Sequence, residues 1–391
     1  MGRSLAILGV PGVLDGSGAA DTSFSMTVTT TGAQTLTIDN LAVSALTTVD
    51  WGDSSSNDYT GGGTRTHNYA GAGTWTVTIE QPLNVTTLAL RDTKATLNST
   101  LARLANLKSL QIINVSGFDS QYIAAMELTS LTISFTAAGT YNFDSAHIAA
   151  MKLTSLTISF TVAGTYNFNS THIAAMELTS LSIYITGAGT YNFNSTHIAA
   201  MELTSLTISF TVAGTYNFNS THIAAMELTL LIISFTVAGT YNFDSAHIAA
   251  MELTYLIISF IAAGTYNFNS THIAAMELTY LSIVMNNPST TIARADWGGV
   301  VVRNVVSPKI HLALDQTEVD AVLLGIYDGF PSRVANAGTL NVAGDGGSAN
   351  ATPSGILQAQ CPPTTGKEAA YELVNDSCGV STNHYAAVTM N

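Results

Sequence analysis

Apolar and polar positions alternate with period two over residues 23–30 (SFSMTVTT), 34–41 (QTLTIDNL) and 74–80 (TWTVTIE), with Gly, Asn, Ser and Asp clusters between the runs. Such alternation predicts half-buried β-strands separated by turns. Further along, the pattern becomes strictly periodic. A 25-residue unit close to LTSLTISFTVAGTYNFNSTHIAAME is written six times, beginning at Leu128, Leu153, Leu178, Leu203, Leu228 and Leu253, with a truncated seventh at Leu278. Looser copies precede it: Val85-x-x-Leu88-x-Leu90 leads 22 residues later to Leu107-x-x-Leu110-x-Ile112, and 21 residues later to Leu128-x-x-Leu131-x-Ile133. A short fixed period predicts a solenoid, because each unit buries its apolar face only against its neighbours.

Within one unit, Leu131, Ile133 and Phe135 are expected to point inward, with Thr132 and Ser134 outward. Ala-Gly turns the chain and Tyr-Asn-Phe makes a second short strand. Asn-Ser-Thr is expected to cap a single helical turn over His-Ile-Ala-Ala-Met-Glu. Units in register set like residues in ladders about 4.8 Å apart. Past Leu278 the pattern loosens: strands are expected at Ile310-x-Leu312-x-Leu314, at 339–342 and at 384–390. Helices are expected at 321–330, opened by a Thr317/Asp320 capping pair, and at 367–375. The organisation that follows is an arm at 1–22, a β-domain at 23–82, irregular repeats at 83–127, the regular solenoid at 128–285, and terminal repeats with a C-terminal cap at 286–391.

Two stretches resemble known families. Val49-Asp50-Trp51-Gly52-Asp53, His67-Asn68-Tyr69 and Gly73-Thr74-Trp75-Thr76-Val77 resemble PKD-type domains, with the first motif contracted to DWGDSSS. That resemblance covers about 60 residues and implies an immunoglobulin-like β-sandwich that spaces or adheres, without catalytic residues. The LxxLxI spacing resembles the leucine-rich repeat, in which one short parallel strand per unit lines a curved face. The match is partial, since Thr-Val/Ala-Ala-Gly stands where that family usually carries Asn. The expected fold is thus mainly β: an N-terminal PKD-type sandwich, a leucine-rich-repeat-like parallel solenoid with short helical turns, and an α/β cap.

Composition narrows the partners. Only 10% of residues are charged and the net charge is −14, and the repeat block carries one basic residue, Lys152. With no basic stripe to neutralise phosphates, neither nucleic acid nor an anionic membrane is an expected partner, and no stretch is apolar enough to span a bilayer. The N-terminal MGRSLAILGVPGVLDGSGA imitates a secretory signal, but Pro11-Gly12 and Asp15 interrupt it, so it is read as uncleaved. Cys361 and Cys378 make either one disulfide or two buried thiols, and neither a disulfide framework nor a zinc site.

Several ladders could carry chemistry. His147, His172, His197, His222, His247 and His272 should stack, either as a metal or proton wire or as residues that satisfy their own helical turns; the second reading is adopted, because a one-dimensional ladder offers no mixed ligand set. Glu127, Lys152, Glu177, Glu202, Glu227, Glu252 and Glu277 form a second row, read as a solvated edge in preference to a calcium string. Asn169, Asn194, Asn219 and Asn269 open Asn-Ser-Thr glycosylation patterns, which the capping role explains better. Asp-Ser-Ala replaces the triplet at 144–146 and 244–246, a linked change that suggests segmental duplication. There is no paired-carboxylate, phosphate-loop or nucleophile-elbow signature, so the chain is read as a non-enzyme with no cofactor and no metal.

The copies differ mainly at outward positions. The third position reads Ser130, Ser155, Ser180, Ser205, Leu230, Tyr255, Tyr280, and the fifth changes from Thr or Ser to Ile at Ile232 and Ile257. The seventh is Ser except at Tyr184 and Val284. Tyr184, Leu230, Ile232, Tyr255, Ile257 and Tyr280 are therefore the candidate partner-binding residues, since exposed apolar patches often mark interaction sites; the competing reading has the C-terminal region covering them. A β-sandwich joined to a leucine-rich-like solenoid resembles modular surface proteins of bacteriophages and bacteria. The expectation is a virion fibre, spike or capsid decoration at the virion surface. Its expected partners are other virion proteins, copies of itself, or a host-surface glycan or protein. The alternative is a secreted bacterial surface adhesin.

Overall fold

The computed structural model describes residues 22–286 and 288–297, and beyond them residues 305, 308–312, 314–329, 339–342, 353–355, 357–375, 385 and 387–390. Nearly all of the expected N-terminal arm lies outside the described residues. The fold is mainly β, with parallel strands stacked into a solenoid-like repeat. The chain forms two compact units, one reaching Leu131 and including Gly139–Asn142, the other holding Thr132–Ala138 and everything from Phe143 onward.

In the first unit the alternating segments become β1 (Phe24–Thr31), β2 (Gln34–Asp50), β3 (Ser56–Gly61), β4 (Arg65–Tyr69), β5 (Ala72–Ile79) and β6 (Val85–Leu90). β1 pairs antiparallel with β5, and the long β2 pairs antiparallel with β3, β4, β5 and β6. The residues that carry the PKD resemblance meet in one cluster. Trp51 stacks on His67 at 4.9 Å, Tyr69 stacks on Trp75 at 5.1 Å, and the Tyr69 hydroxyl donates to the Trp51 carbonyl. His67 also meets Asp53 at 2.7 Å. Burial pushes the Asp53 carboxyl up, but hydrogen bonds from Ser55 and His67 outweigh it and hold it below its ordinary value. Gly52 has φ +82°, and a Cβ there would lie 2.6 Å from the Thr76 carbonyl oxygen, so only glycine fits this turn.

β6 is also where the pairing changes character. On one side β2 pairs with it antiparallel; on the other Ser109–Ile113 pairs with it in parallel, with Leu88 opposite Leu110 and Leu90 opposite Ile112. That register matches the 22-residue offset between the two LxxLxI segments. An antiparallel strand therefore occupies an edge that a parallel stack would otherwise leave open.

In the second unit each repeat contributes one strand to each of two parallel sheets. The strands Ser155–Phe160, Ser180–Ile185, Ser205–Phe210, Leu230–Phe235, Tyr255–Phe260 and Tyr280–Met285 form the first sheet, every residue paired with its equivalent 25 positions later. The Thr-Tyr-Asn-Phe-Asn segments form the second, with residues paired 23 positions apart. Two strands per unit separate this stack from the single-strand lining that the leucine-rich resemblance implies. The core lies between the sheets: Leu181, Ile183, Ile185, Tyr191, Phe193, Ile198 and Met201 of one unit are all buried. Each such side chain contributes roughly 1.5–3 kcal/mol by leaving water. Rings continue from unit to unit, as in Phe210–Phe235 and Phe235–Phe260, both 5.9 Å apart and stacked.

The third copy interrupts this aromatic column with Ile185, and Gly187 follows it. A Cβ at 187 would lie 2.5 Å from the Val162 carbonyl oxygen, while the Gly187 N–H donates to Phe160. Past the repeats, Lys309–His311 continues the first sheet in parallel, and Thr339–Asn341 pairs with Ala387–Thr389. Helices span Gln316–Asp328 and Gly366–Asn375. The first is opened by a capping box of Asp315 and Glu318, not by the expected Thr317/Asp320 pair. The extended Asp315 backbone frees its carboxylate to accept the Glu318 N–H, whereas Thr317 and Asp320 already lie inside the helix.

Candidate interaction surface

The outward residues of the first sheet come together in the order the repeats predict. Leu230 is opposite Tyr255, and Tyr255 opposite Tyr280; Ile232 is opposite Ile257, whose other neighbour is Ser282. The Tyr255 and Tyr280 rings stack at 4.5 Å with an interplanar angle of 11°. One face of each ring is therefore covered by the other. Burial and the neighbouring Tyr280 phenol both push the Tyr255 hydroxyl up from its ordinary value. Leu230, Ile232, Tyr255 and Ile257 are half-buried, as are Ser155, Thr157, Ser180 and Ser205 at the same positions in earlier copies. Tyr280 is 38% exposed. Among the described residues, the third and fifth positions are thus no more buried in the later rungs than in the earlier ones.

Tyr184 does not join this patch. It is 42% exposed, but its cross-strand neighbours are Ser159 and Ser209, and the whole Ser205–Phe210 strand separates it from Leu230. Val284, the other break in the seventh position, is buried and lies opposite His311.

A row of carboxylates runs beside the patch. Glu177, Glu202, Glu227, Glu252 and Glu277 are all exposed and sit three residues before each first-sheet strand. In the first unit the equivalent Glu127 pairs with Lys108 at 3.2 Å, and Lys152 takes the next place in the row. Among the described residues, no cation pairs with Glu202, Glu227, Glu252 or Glu277.

The histidines do something the spacing did not reveal. Each asparagine or aspartate caps its turn: Asn169, Asn194, Asn219 and Asn269 accept from the backbone N–H two residues on. The turn is 3-10 and opens at the serine, two residues earlier than expected. Histidine is free of that task and reaches into the preceding unit. His172, His197, His222, His247 and His272 place Nδ1 2.7–2.8 Å from the hydroxyls of Ser145, Ser170, Ser195, Ser220 and Ser245. Those hydroxyls also accept backbone N–H groups of the next unit at 2.9 Å. Each hydroxyl thus bridges a backbone N–H and an imidazole Nδ1 of other units. The serines are fully buried, so the pairs knit rungs together and present no hydroxyl to a substrate. At the end of the ladder Ser270 donates instead to Asp296 at 2.7 Å.

The linked Asp-Ser-Ala changes also have a structural counterpart. Asp144 and Asp244 cap Ala146 and Ala246 with one oxygen, and their second oxygen accepts from Asn167 and Asn267 of the next unit. Burial pushes Asp244 up, but the Ala246 and Asn267 hydrogen bonds and the nearby His247 and His272 bring it below its ordinary value. A shallow polar groove, lined among others by Asp244, Asn267, His272, Ser289 and Thr291, opens where Ser-Thr-Thr replaces the usual Thr-Tyr-Asn. Tyrosines of the second sheet are consumed internally: Tyr191, Tyr216, Tyr241 and Tyr266 donate to carbonyls four residues upstream. Burial pushes the Tyr266 hydroxyl up to about 12. Among the described residues, no three His, Cys, Asp or Glu side chains gather in a metal-binding group. Compared with known proteins, the chain matches no family and no curated sequence.

Proposed function

We propose that this chain is a non-enzymatic structural and adhesive protein of a bacteriophage particle: a fibre, spike or capsid decoration that acts at the virion surface. Its partners on this reading are other virion proteins, copies of itself, or a host-surface glycan or protein. One observation carries it. The repeats keep every inward and rung-joining residue nearly constant while apolar change accumulates at adjacent outward positions, Leu230, Ile232, Tyr255, Ile257 and Tyr280. A stack that spends its serines, histidines and tyrosines on its own cohesion is suited to presenting a surface.

Three further features support the reading. The Trp51, His67, Tyr69 and Trp75 cluster suits a PKD-type sandwich used as a spacer. The helices and strands after Lys309 suit an α/β cap on a leucine-rich-repeat-like solenoid, since terminal units of a repeat stack need a polar cover. Cys361 is disulfide-bonded, and Cys378 is the other cysteine of the chain; such a bond persists where the surroundings are oxidising.

Immunogold labelling of native material with antibody to the purified chain tests the proposal. Gold on the exterior of intact particles is the expected result. Gold confined to bacterial envelopes would replace it with the secreted surface adhesin. Turnover of a glycan by the purified chain, lost on substitution of its carboxylates, would overturn the non-enzymatic assignment.

A further inference from the structure

Two properties coincide on the later rungs of the first sheet. From Leu230 onward the third and fifth positions are mostly apolar, and among the described residues no cation pairs with Glu227, Glu252 or Glu277, as none pairs with Glu202 before the Ser205 strand. In earlier repeats those two positions are Ser and Thr, and Lys152 takes one place in the row. Five stacked hydrophobes could be covered by many partners. Glu227, Glu252 and Glu277 at their margin restrict the choice.

These carboxylates are exposed and recur once per rung, so they present a row of like charge. An acidic partner is repelled by that row, and a neutral one gains nothing from it. A partner bearing Lys or Arg beside its own apolar residues pairs with the row and covers the patch in one step. A second copy of this chain cannot supply this from its repeats, where Lys152 is the one basic residue. The strands that bear the patch are paired on both sides. Side chains of the partner, and not a further β-strand, must therefore make the contact.

We infer that the face formed by Leu230, Ile232, Tyr255, Ile257 and Tyr280, with Glu227, Glu252 and Glu277 at its margin, docks a basic amphipathic segment of another protein. This rests on the adhesive and structural reading above and names its partner chemistry. Hydrophobic contact supplies most of the affinity, and the acidic margin supplies selectivity and salt dependence.

The test uses the full chain and three short synthetic peptides of equal length: one alternating Leu and Lys, one alternating Leu and Glu, and one alternating Ser and Lys. The Leu/Lys peptide is expected to bind at least about tenfold more tightly than either control, and to weaken as salt is raised. The combined variant L230S/I232T/Y255S/I257T/Y280S installs residues that earlier copies already carry, so the stack has precedent for each; it should lose about tenfold in affinity. The variant E227K/E252K/E277K follows the precedent of Lys152 and should reverse the preference toward the Leu/Glu peptide. Equal binding of the Leu/Lys and Leu/Glu peptides, or unchanged binding by either variant, overturns the inference. So does a concentration-dependent dimer that the first variant abolishes. Any of these results leaves the immunogold test of the virion assignment untouched, so the two can fail separately.

Discussion

The rungs from Ser155 to Ile185 and those from Leu230 to Met285 stack one interior behind two different exteriors. Leu156, Ile158 and Phe160 are as fully buried as Leu256, Ile258 and Phe260, and serine–histidine pairs join both regions. Their outer faces share almost nothing: Ser-Thr-Ser in one, Tyr-Ile-Ser in the other. In a parallel stack the two sides of a strand answer to separate demands. Inward residues must fit the rung above and below, whereas outward ones meet solvent and change at little cost in stability.

The comparison breaks first if the interiors are not equivalent. Leu181→Ala and Leu256→Ala should each cost about 2–5 kcal/mol and agree with each other to within about 1 kcal/mol, measured by denaturant unfolding. A large disagreement would mean that the rungs pack differently around the same leucine, for instance where Ile185 stands in place of Phe260. Next in size are the rung-joining serines. Ser170→Ala and Ser245→Ala each leave a buried N–H and an imidazole nitrogen without a partner, at about 1–3 kcal/mol. Hydrogen exchange should accelerate at the Asn194 and Asn269 amides in the respective variants. Ser270→Ala should fall at or above the upper end of that range, because the hydroxyl bonds a carboxylate.

Acid offers a third lever, outside both regions. Glu368 accepts from the Thr364 and Thr365 N–H groups, the Thr364 hydroxyl and Gln358, and these bonds bring its carboxyl down to about 2. A lowered folded-state value contributes stability above the ordinary carboxyl value, which is lost as pH falls through the folded one. The Gly366–Asn375 helix should therefore loosen between about pH 4.5 and 2. Amide exchange at Lys367 and Ala369 reports it, and Glu368→Gln should flatten the dependence. The smallest effect is expected from outward exchanges: Leu230→Ser should stay within about 0.5 kcal/mol, and Tyr255→Ser within about 1.5, through its lost ring stack. A larger loss in either would show that the apolar exterior serves the fold.

How much of this was legible depended on how far apart the interacting residues lie. The inward Leu-x-Ile-x-Phe set, the second strand and the asparagine caps could be read directly, because each involves residues within one unit. The histidine contact joins positions 27 apart, and no period of 25 points to it. It follows from the second sheet's 23-residue register, which sets one unit's serine beside the backbone and imidazole of the next. Asp296 takes the place of a seventh histidine 26 residues past Ser270, a separation that the period does not mark either. Tyr184 is an outward exception like the patch residues, yet its rung neighbours place it apart.

Sequence alone determined the period, the face each strand buries, and the outward positions where the copies diverge. A 25-residue repeat leaves its apolar residues no other place to go than against the next copy. The tertiary structure decided the register between copies, and with it which polar groups meet. Hydrogen bonds between rungs depend on stagger, which residue order does not encode. That stagger buried the serines with their histidines, while Tyr255 and Tyr280, one period apart on the first sheet, stack at the surface.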